Sequence, residues 1–430
     1  MVLVHRLALL LAVLAGCSQS LFDANGPGAG GGGDGSVTPA TCPAPCVADA
    51  AADFDGSPGG AGGRWRYLDD HRDRTWKAMA ASATAMTGED PANHISTCAK
   101  NPSSEACRAL PGALLVSSSG ATSMADPAIE LTSATSQVIQ LSVRARSASG
   151  DPQQIRIYRN SREDELYTGT AMAGTTLEQA LTLDAIAGDR FLVAVAPIAG
   201  GATDVALHVF VNTTGASFPS TCQVALPFSA AAGNTVDNLC GADYTHTVFS
   251  GGDTPPTLTA GPYPELGKGT DLISDNYFAS TGSLNRSGDT TVQFWVKLRS
   301  FVDVYDAWLF SDLNLDDGAK GGLGIAILNR TPRQLDVETC TNGTTLTFAN
   351  AQTPYPPDES WQFVRVVHTG GNVQICLNGK RQTSFAAPAG SLQSTYPPYL
   401  GKNVRWTPSG AFFDGVLDDV RVISGALPCN

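Results

Sequence analysis

The 430-residue sequence is poor in charge, with only 16% Asp, Glu, Lys and Arg. Segments rich in Glu, Lys and Leu, which would make stable helices, are scarce. Past the first twenty residues no apolar run is long enough to span a bilayer, which takes about 20 residues in a helix. Basic character is lacking too: the formal net charge is −13, which excludes nucleic acid as a partner because phosphate binding needs basic patches. Motifs that carry chemistry are also missing. There is no His-Glu-x-x-His, no Gly-x-Ser-x-Gly and no phosphate-cradling glycine loop. The histidines beyond His5 (His71, His94, His208, His246 and His368) are scattered, and His208 and His368 sit in strand patterns that suit a core or sheet role. Glu163-Asp164-Glu165 reads as a solvated acidic loop.

Gly, Ala, Ser, Thr and Pro are plentiful, which favours short strands joined by turns and an all-β fold. Period-two alternation marks the strands: Val138–Arg144, Gln154–Arg159 and Ala206–Val211 each place apolar residues on one face and polar residues on the other. Such strands have one buried and one wet face, as in antiparallel sandwiches. Phe191–Ala196 follows the turn Ala187-Gly188-Asp189-Arg190. Asn25–Val37 is nearly all Gly, Ala, Asp and Ser, too polar to bury a core, and is expected to be a flexible tether.

The N-terminus has an arginine at position 6, then the apolar run Leu7–Ala15, then Leu14-Ala15-Gly16-Cys17. The run is too short to span and suits an export signal. The tetrapeptide resembles the bacterial lipobox, which implies cleavage before Cys17 and lipid on its thiol. Each buried methylene of the acyl chains would add about 0.8 kcal/mol of membrane affinity. Ser18 after the cysteine implies, by the same resemblance, sorting to the outer membrane. Ten cysteines in an exported chain read as disulfides, and setting Cys17 aside leaves an odd number. Cys42-x3-Cys46 lacks a second pair nearby, so zinc is not expected. The resulting organisation is a signal peptide at 1–16, a tether at 17–41, a first β-sandwich at 42–214 and a second at 222–429.

Within the first sandwich, Asp53-Phe54, Trp65-Arg66-Tyr67 and Ala187–Val195 occur in the order loosely similar to jelly-roll accessory modules of bacterial carbohydrate-active enzymes. The second carries Thr291-Val292-Gln293-Phe294-Trp295-Val296-Lys297, Trp361–Val367, Val373–Lys380 with Asn378-Gly379, and Phe413–Val422 with Asp418-Asp419-Val420-Arg421. This series resembles the laminin-G-like branch of the concanavalin-A-like lectin superfamily, and the fold it implies is a two-sheet antiparallel jelly roll. Asn378-Gly379 between alternating strands is itself a strong hairpin signal, since a type I′ turn needs positive φ at both positions. Phe294 and Val296 share one face, Trp295 and Lys297 the other. Asp419 and Arg421, two apart, are expected to form a surface ion pair.

The same resemblance places the first and last strands side by side. It implies a Cys222–Cys429 staple and a Cys340–Cys376 pair, with Cys240 left over; the rival pairing is Cys222–Cys240, with Cys429 left unpaired. Relatives in this branch often bind calcium, and Asp312, Asn314 and Asp316 offer alternating oxygens to such an ion. An exposed acidic turn explains the same residues. For ligand binding, the aromatics Trp308, Tyr355, Tyr396, Tyr399 and Trp406 fall at expected loops or loop edges, where rings stack on sugars. Prolines beside Tyr355, Tyr396 and Tyr399 would stiffen such a platform. The resemblance therefore implies a non-catalytic recognition or adhesion module for a glycan or an extracellular protein, held to the membrane by lipid. A glycan-processing enzyme on a lectin-like fold and a purely structural envelope lipoprotein are the alternatives. The Glu-x-Asp-x-x-Glu strand of hydrolases on this fold has no counterpart in the second sandwich.

Overall fold

The computed structural model describes residues 42–429 apart from 58–62, 72, 83–84, 121–124, 149–150, 199–202, 229–234, 249–255, 274–275, 302–305, 314–320, 342–347, 389–391 and 404–411. Cys17 and the Gly-rich stretch lie outside the described residues. The described residues are almost all β, with 59% strand and 3% helix. No helix among the described residues is long and apolar enough to cross a membrane.

Four antiparallel sheets stack in two sandwiches. In the first sandwich an eight-stranded sheet runs Leu177–Ala185, Gln137–Ser147, Thr203–Thr213, Leu114–Ser118, His94–Thr97, Met86–Thr87 and Ala80–Ala81, with Cys46–Asp49 also paired to Thr203–Thr213. It faces a six-stranded sheet of Ser161–Ala171, Gln153–Arg159, Arg190–Pro197, Ala125–Thr132, Trp65–His71 and Trp76–Ala78. Alternation explains this layer: Ile155 and Ile157 are fully buried between the sheets, while Gln154 and Arg156 turn away. Each such isoleucine contributes roughly 1.5–3 kcal/mol by burial. His208 lies buried in this sandwich with Nε2 3.1 Å from both Asp49 oxygens, the sheet role expected of it.

The second sandwich has one sheet ordered Thr257–Ala260, Lys268–Leu272, Phe413–Ser424, Thr290–Phe301, Gln362–Thr369, Asn372–Leu377 and Lys380–Ala386, with Cys222–Leu226 also on Phe413–Ser424. The opposing sheet runs Thr235–Val236, Tyr244–Val248, Asn276–Ser280, Tyr399–Leu400, Ala307–Ser311, Gly322–Leu328, Gln334–Cys340 and Phe348–Pro354. Phe294, Val296, Leu417, Val420 and Val422 fill the core between them. The first and last strands are antiparallel neighbours, with Cys222 opposite Ile423. Asn378 and Gly379 take φ of 52° and 76°, as the hairpin requires.

The cysteines pair differently from the preferred expectation. Cys222 bonds Cys240, and Cys376 bonds Cys429; Cys42–Cys46 and Cys98–Cys107 complete the set among the described residues. Cys240 reaches Cys222 because the Asn238 side chain folds its turn onto the first strand, accepting from Ala225 N at 2.9 Å and donating to Gln223 O at 3.2 Å. Cys429 leaves that strand because the tail after Ser424 runs across two neighbouring strands. Leu427 N donates to Thr291 Oγ1 at 3.0 Å, and Arg365 donates to Pro428 O at 2.6 Å, which carries the chain on to Cys376. Cys340 is buried, with Sγ 3.8 Å from the Thr341 carbonyl oxygen.

The two sandwiches meet sheet to sheet. Leu68, Trp76, Ala128, Tyr158, Leu192 and Ala194 of the first form one apolar cluster with Tyr263, Trp295 and Phe363 of the second. Trp295 thus points away from its own core, as alternation requires, and is buried by the other sandwich.

Candidate ligand cleft at the seam between the sandwiches

Around the apolar patch the seam is built from charged side chains removed from water. Asp164 accepts from Arg159 at 2.8 Å, from Gln293 at 2.9 Å and from Arg365. Asp189 accepts from both terminal nitrogens of Arg421, at 3.0 and 2.5 Å, and from Ile186 N at 3.0 Å. Burial pushes both carboxyls up, but the guanidiniums outweigh it and hold each below the usual carboxylate range. Glu163 receives the Tyr263 hydroxyl at 2.7 Å and Arg74 Nε at 2.8 Å. Arg74 also donates to the Trp361 carbonyl at 3.3 Å and lies over the Trp295 ring.

Two sequence expectations are corrected here. Glu163-Asp164-Glu165 is no solvated loop: it lies in the strand Ser161–Ala171 and is buried, because the second sandwich covers that face. Asp419 and Arg421 do pair, at 2.8 Å, but as a buried pair rather than a surface one. A register shift in the pairing with Thr290–Phe301 and a φ of 43° at Asp419 mark a β-bulge there.

At one edge of the seam the sheets part to leave an open cleft of about 610 Å³. One wall is Gln154 and Arg156 from the strand Gln153–Arg159, with Arg162, Glu165 and Thr168 from Ser161–Ala171. The other wall is the hairpin Asn378, Gly379, Lys380 and Arg381. Gly379 is where this hairpin rests on the first sandwich: a Cβ there would stand 3.5 Å from the Glu163 Cα and carbonyl oxygen.

Each side chain of the cleft is held in its own way. Arg156 lies opposite Thr168 in the register and donates to Gln154 at 2.6 Å and to the Tyr158 hydroxyl at 3.4 Å. Arg162 is anchored from behind by Asp126 at 2.9 Å and Asp70 at 3.4 Å. Burial, opposed by Arg162, pushes the Asp70 carboxyl up to about 7, with the Asp126 charge adding to the rise. Asn378 is fixed by accepting from Phe363 N at 2.9 Å and donating to Gln362 at 2.6 Å. Lys380 and Arg381 are exposed, and no carboxylate among the described residues lies at ion-pair distance from either.

Among the described residues, those singled out from the sequence lie apart from this cleft. Trp308 is 7% exposed and packs on Leu313, Ala326 and Cys340, in space left by Gly324, whose Cβ would come within 2.6 Å of the indole. Tyr355 is 3% exposed and packs in the second core, drawn in by its backbone N–H bond to Arg333 O at 3.0 Å. Neither ring stands at an exposed loop edge, where the sequence placed it. Tyr396 and Tyr399 are half-buried, and Tyr399 is engaged edge-on with Tyr277 at 5.6 Å. Trp406, Asn314 and Asp316 lie outside the described residues. Asp312 faces inward rather than to a rim: it is buried, ion-paired to Arg286, and accepts from Leu323 N at 2.9 Å. Its burial raises its pKa although Arg286 opposes the shift. The cleft residues Arg156, Arg162, Lys380 and Arg381 were missed. The available signal was cations at outward positions of alternating strands beside the Asn-Gly turn.

These features define a protein of paired β-sandwiches fused face to face, with a polar cleft at the join. Residues 272–428 match a family model described as the concanavalin A-like lectin/glucanases superfamily, Laminin_G_3. No curated protein matches the chain. Among solved structures, domain 4 of AbnA, a GH43 extracellular arabinanase from Geobacillus stearothermophilus in complex with arabinotriose, is 18% identical over 48% of this chain and 94% of that one, with a TM-score of 0.35. The binding domain of botulinum neurotoxin serotype D is 14% identical over 48% of each chain, TM-score 0.35, so this chain spans about half of it. The CBM40 of Ruminococcus gnavus IT-sialidase is 14% identical over 37% of this chain and 91% of that one, TM-score 0.29.

Proposed function

We propose that the protein is a lipid-anchored recognition module of the bacterial outer membrane, holding a glycan or an extracellular protein without transforming it. The observation that carries this reading is the cleft at the seam. Its two walls come from two sandwiches locked together by buried ion pairs, and its polar groups stand on strands and a tight hairpin instead of loose loops. A site so supported keeps its geometry before a ligand arrives, which lowers the entropy cost of binding. The sequence match of the second sandwich to a lectin and glucanase superfamily supports a carbohydrate-type ligand. Leu14-Ala15-Gly16-Cys17 supports the anchor, and the Gly-rich stretch after it supports a tether between membrane and cleft.

The test uses the full chain purified in detergent. On a glycan array it should retain a defined set of glycans, and the charge-reversed variant K380E/R381E should lose them. Incubation of the retained glycans with the protein should release no reducing sugar. Release would favour the glycan-processing reading; a silent array and no captured extracellular protein would favour a structural envelope role. For the anchor, radiolabelled palmitate should enter the wild type and not C17A.

A further inference from the structure

We propose that the seam cleft selects acidic saccharides, short sugar units bearing a carboxylate or sulfate; this rests on the recognition reading above. The argument begins with charge. The chain as a whole carries −13, yet the two walls of this cleft bring Arg156, Arg162, Lys380 and Arg381 to one opening. Arg162 does not count in full, since Asp70 and Asp126 answer its charge from behind. Arg156 counts, because its hydrogen bonds run to the neutral Gln154 and Tyr158. Lys380 and Arg381 count, being exposed and clear of carboxylates among the described residues. Three cations on two facing walls exceed the single Glu165 carboxylate at the edge.

Isolated surface charges are worth little, but cations converging on a concave, partly desolvated space focus their field on a small anion. Arg156 can also meet a carboxylate or sulfate with paired N–H donors. The remaining lining is of a different kind. Gln154 and Asn378 offer amide groups suited to ring hydroxyls, and both are already held in place by their neighbours. At about 610 Å³ the space falls within the usual range for small-ligand sites, roughly 300–1,000 Å³, and takes a few sugar units. A long polyanion lying across the surface would meet the protein's overall negative charge instead, so the site suits an acidic residue in a saccharide rather than a nucleic acid.

The experiment is calorimetric titration of the full chain in detergent with four probes: a trigalacturonate, a sulfated trigalactoside, a neutral trigalactoside and inorganic sulfate. The inference expects one or both acidic trisaccharides to bind at least tenfold more tightly than the neutral one. It also expects affinity to fall as salt rises, and a loss of at least tenfold in K380Q/R381Q and in R156Q, whose melting temperatures stay those of the wild type. Which acidic probe binds identifies carboxylate or sulfate as the recognised group. Equal binding of neutral and acidic trisaccharides overturns this inference and leaves the recognition reading standing. Binding of inorganic sulfate as tight as that of either acidic sugar overturns the saccharide part. Failure to bind any of the four overturns the inference, and only a silent glycan array together with no captured extracellular protein would remove the recognition reading.

Discussion

Asp164 and Arg365 lie 201 positions apart in the chain and form a buried ion pair that joins the two sandwiches. Arg159 bonds the other oxygen of the same carboxylate, and Gln293 links both partners. Removing Asp164 strands two buried guanidiniums without their counter-charge. D164A should therefore lose about 3–5 kcal/mol of stability, measured by urea unfolding. A loss below about 1 kcal/mol would mean that water reaches the pair.

Trp295 belongs to the seam rather than to either sandwich core. Truncating it leaves a large void between Tyr263, Phe363 and the Arg74 guanidinium. W295A is expected to lose about 3–5 kcal/mol. Scanning calorimetry should resolve two transitions in place of one, as the sandwiches begin to melt separately. A single transition at unchanged temperature would show that the seam is not held there.

The disulfides are open to direct mapping. Digestion without reduction should release peptides joined through Cys42–Cys46, Cys98–Cys107, Cys222–Cys240 and Cys376–Cys429. By loop closure the last, spanning 53 residues, should contribute about 4 kcal/mol and Cys222–Cys240, spanning 18, about 3. A Cys222–Cys429 peptide would contradict the path drawn for the C-terminal tail.

Asp70 gives a pH signature. Burial, against the opposing pull of Arg162, pushes its carboxyl up to about 7 in the folded protein from 3.8. The folded state therefore binds the proton more tightly, and the linked stability is fully present below about pH 4 and lost as pH rises towards 7. D70N cannot titrate. The unfolding free energy of the wild type relative to D70N should rise as pH is lowered from about 7 to about 4. A flat difference across that window would mean that Asp70 titrates as an ordinary carboxyl.

Much of the fold was legible because strand alternation is a local property. The patterns at Val138–Arg144 and Gln154–Arg159 became the strands Gln137–Ser147 and Gln153–Arg159, and Asn378-Gly379 became the hairpin. The seam was not legible, because a polar outer face looks the same whether water or another sheet covers it. Asp164, Asp189, Asp419 and Arg421 reveal their burial only when the second sandwich is in place. The same gap hid the cleft, whose two walls are about 200 residues apart in sequence. Trp308 and Tyr355 misled for a related reason: aromatics near expected turns suggest platforms, yet Gly324 and the Arg333 carbonyl give these two a buried place.

The proposed function has ligand held at the seam and not at the loops carrying Tyr396 and Tyr399. Hydrogen–deuterium exchange of the full chain, with and without a glycan retained on the array, tests this most directly. Ligand should slow exchange in the peptides covering residues 154–168 and 378–381 and leave 396–400 unchanged. Protection confined to 396–400, with no change at 154–168 or 378–381, would contradict it.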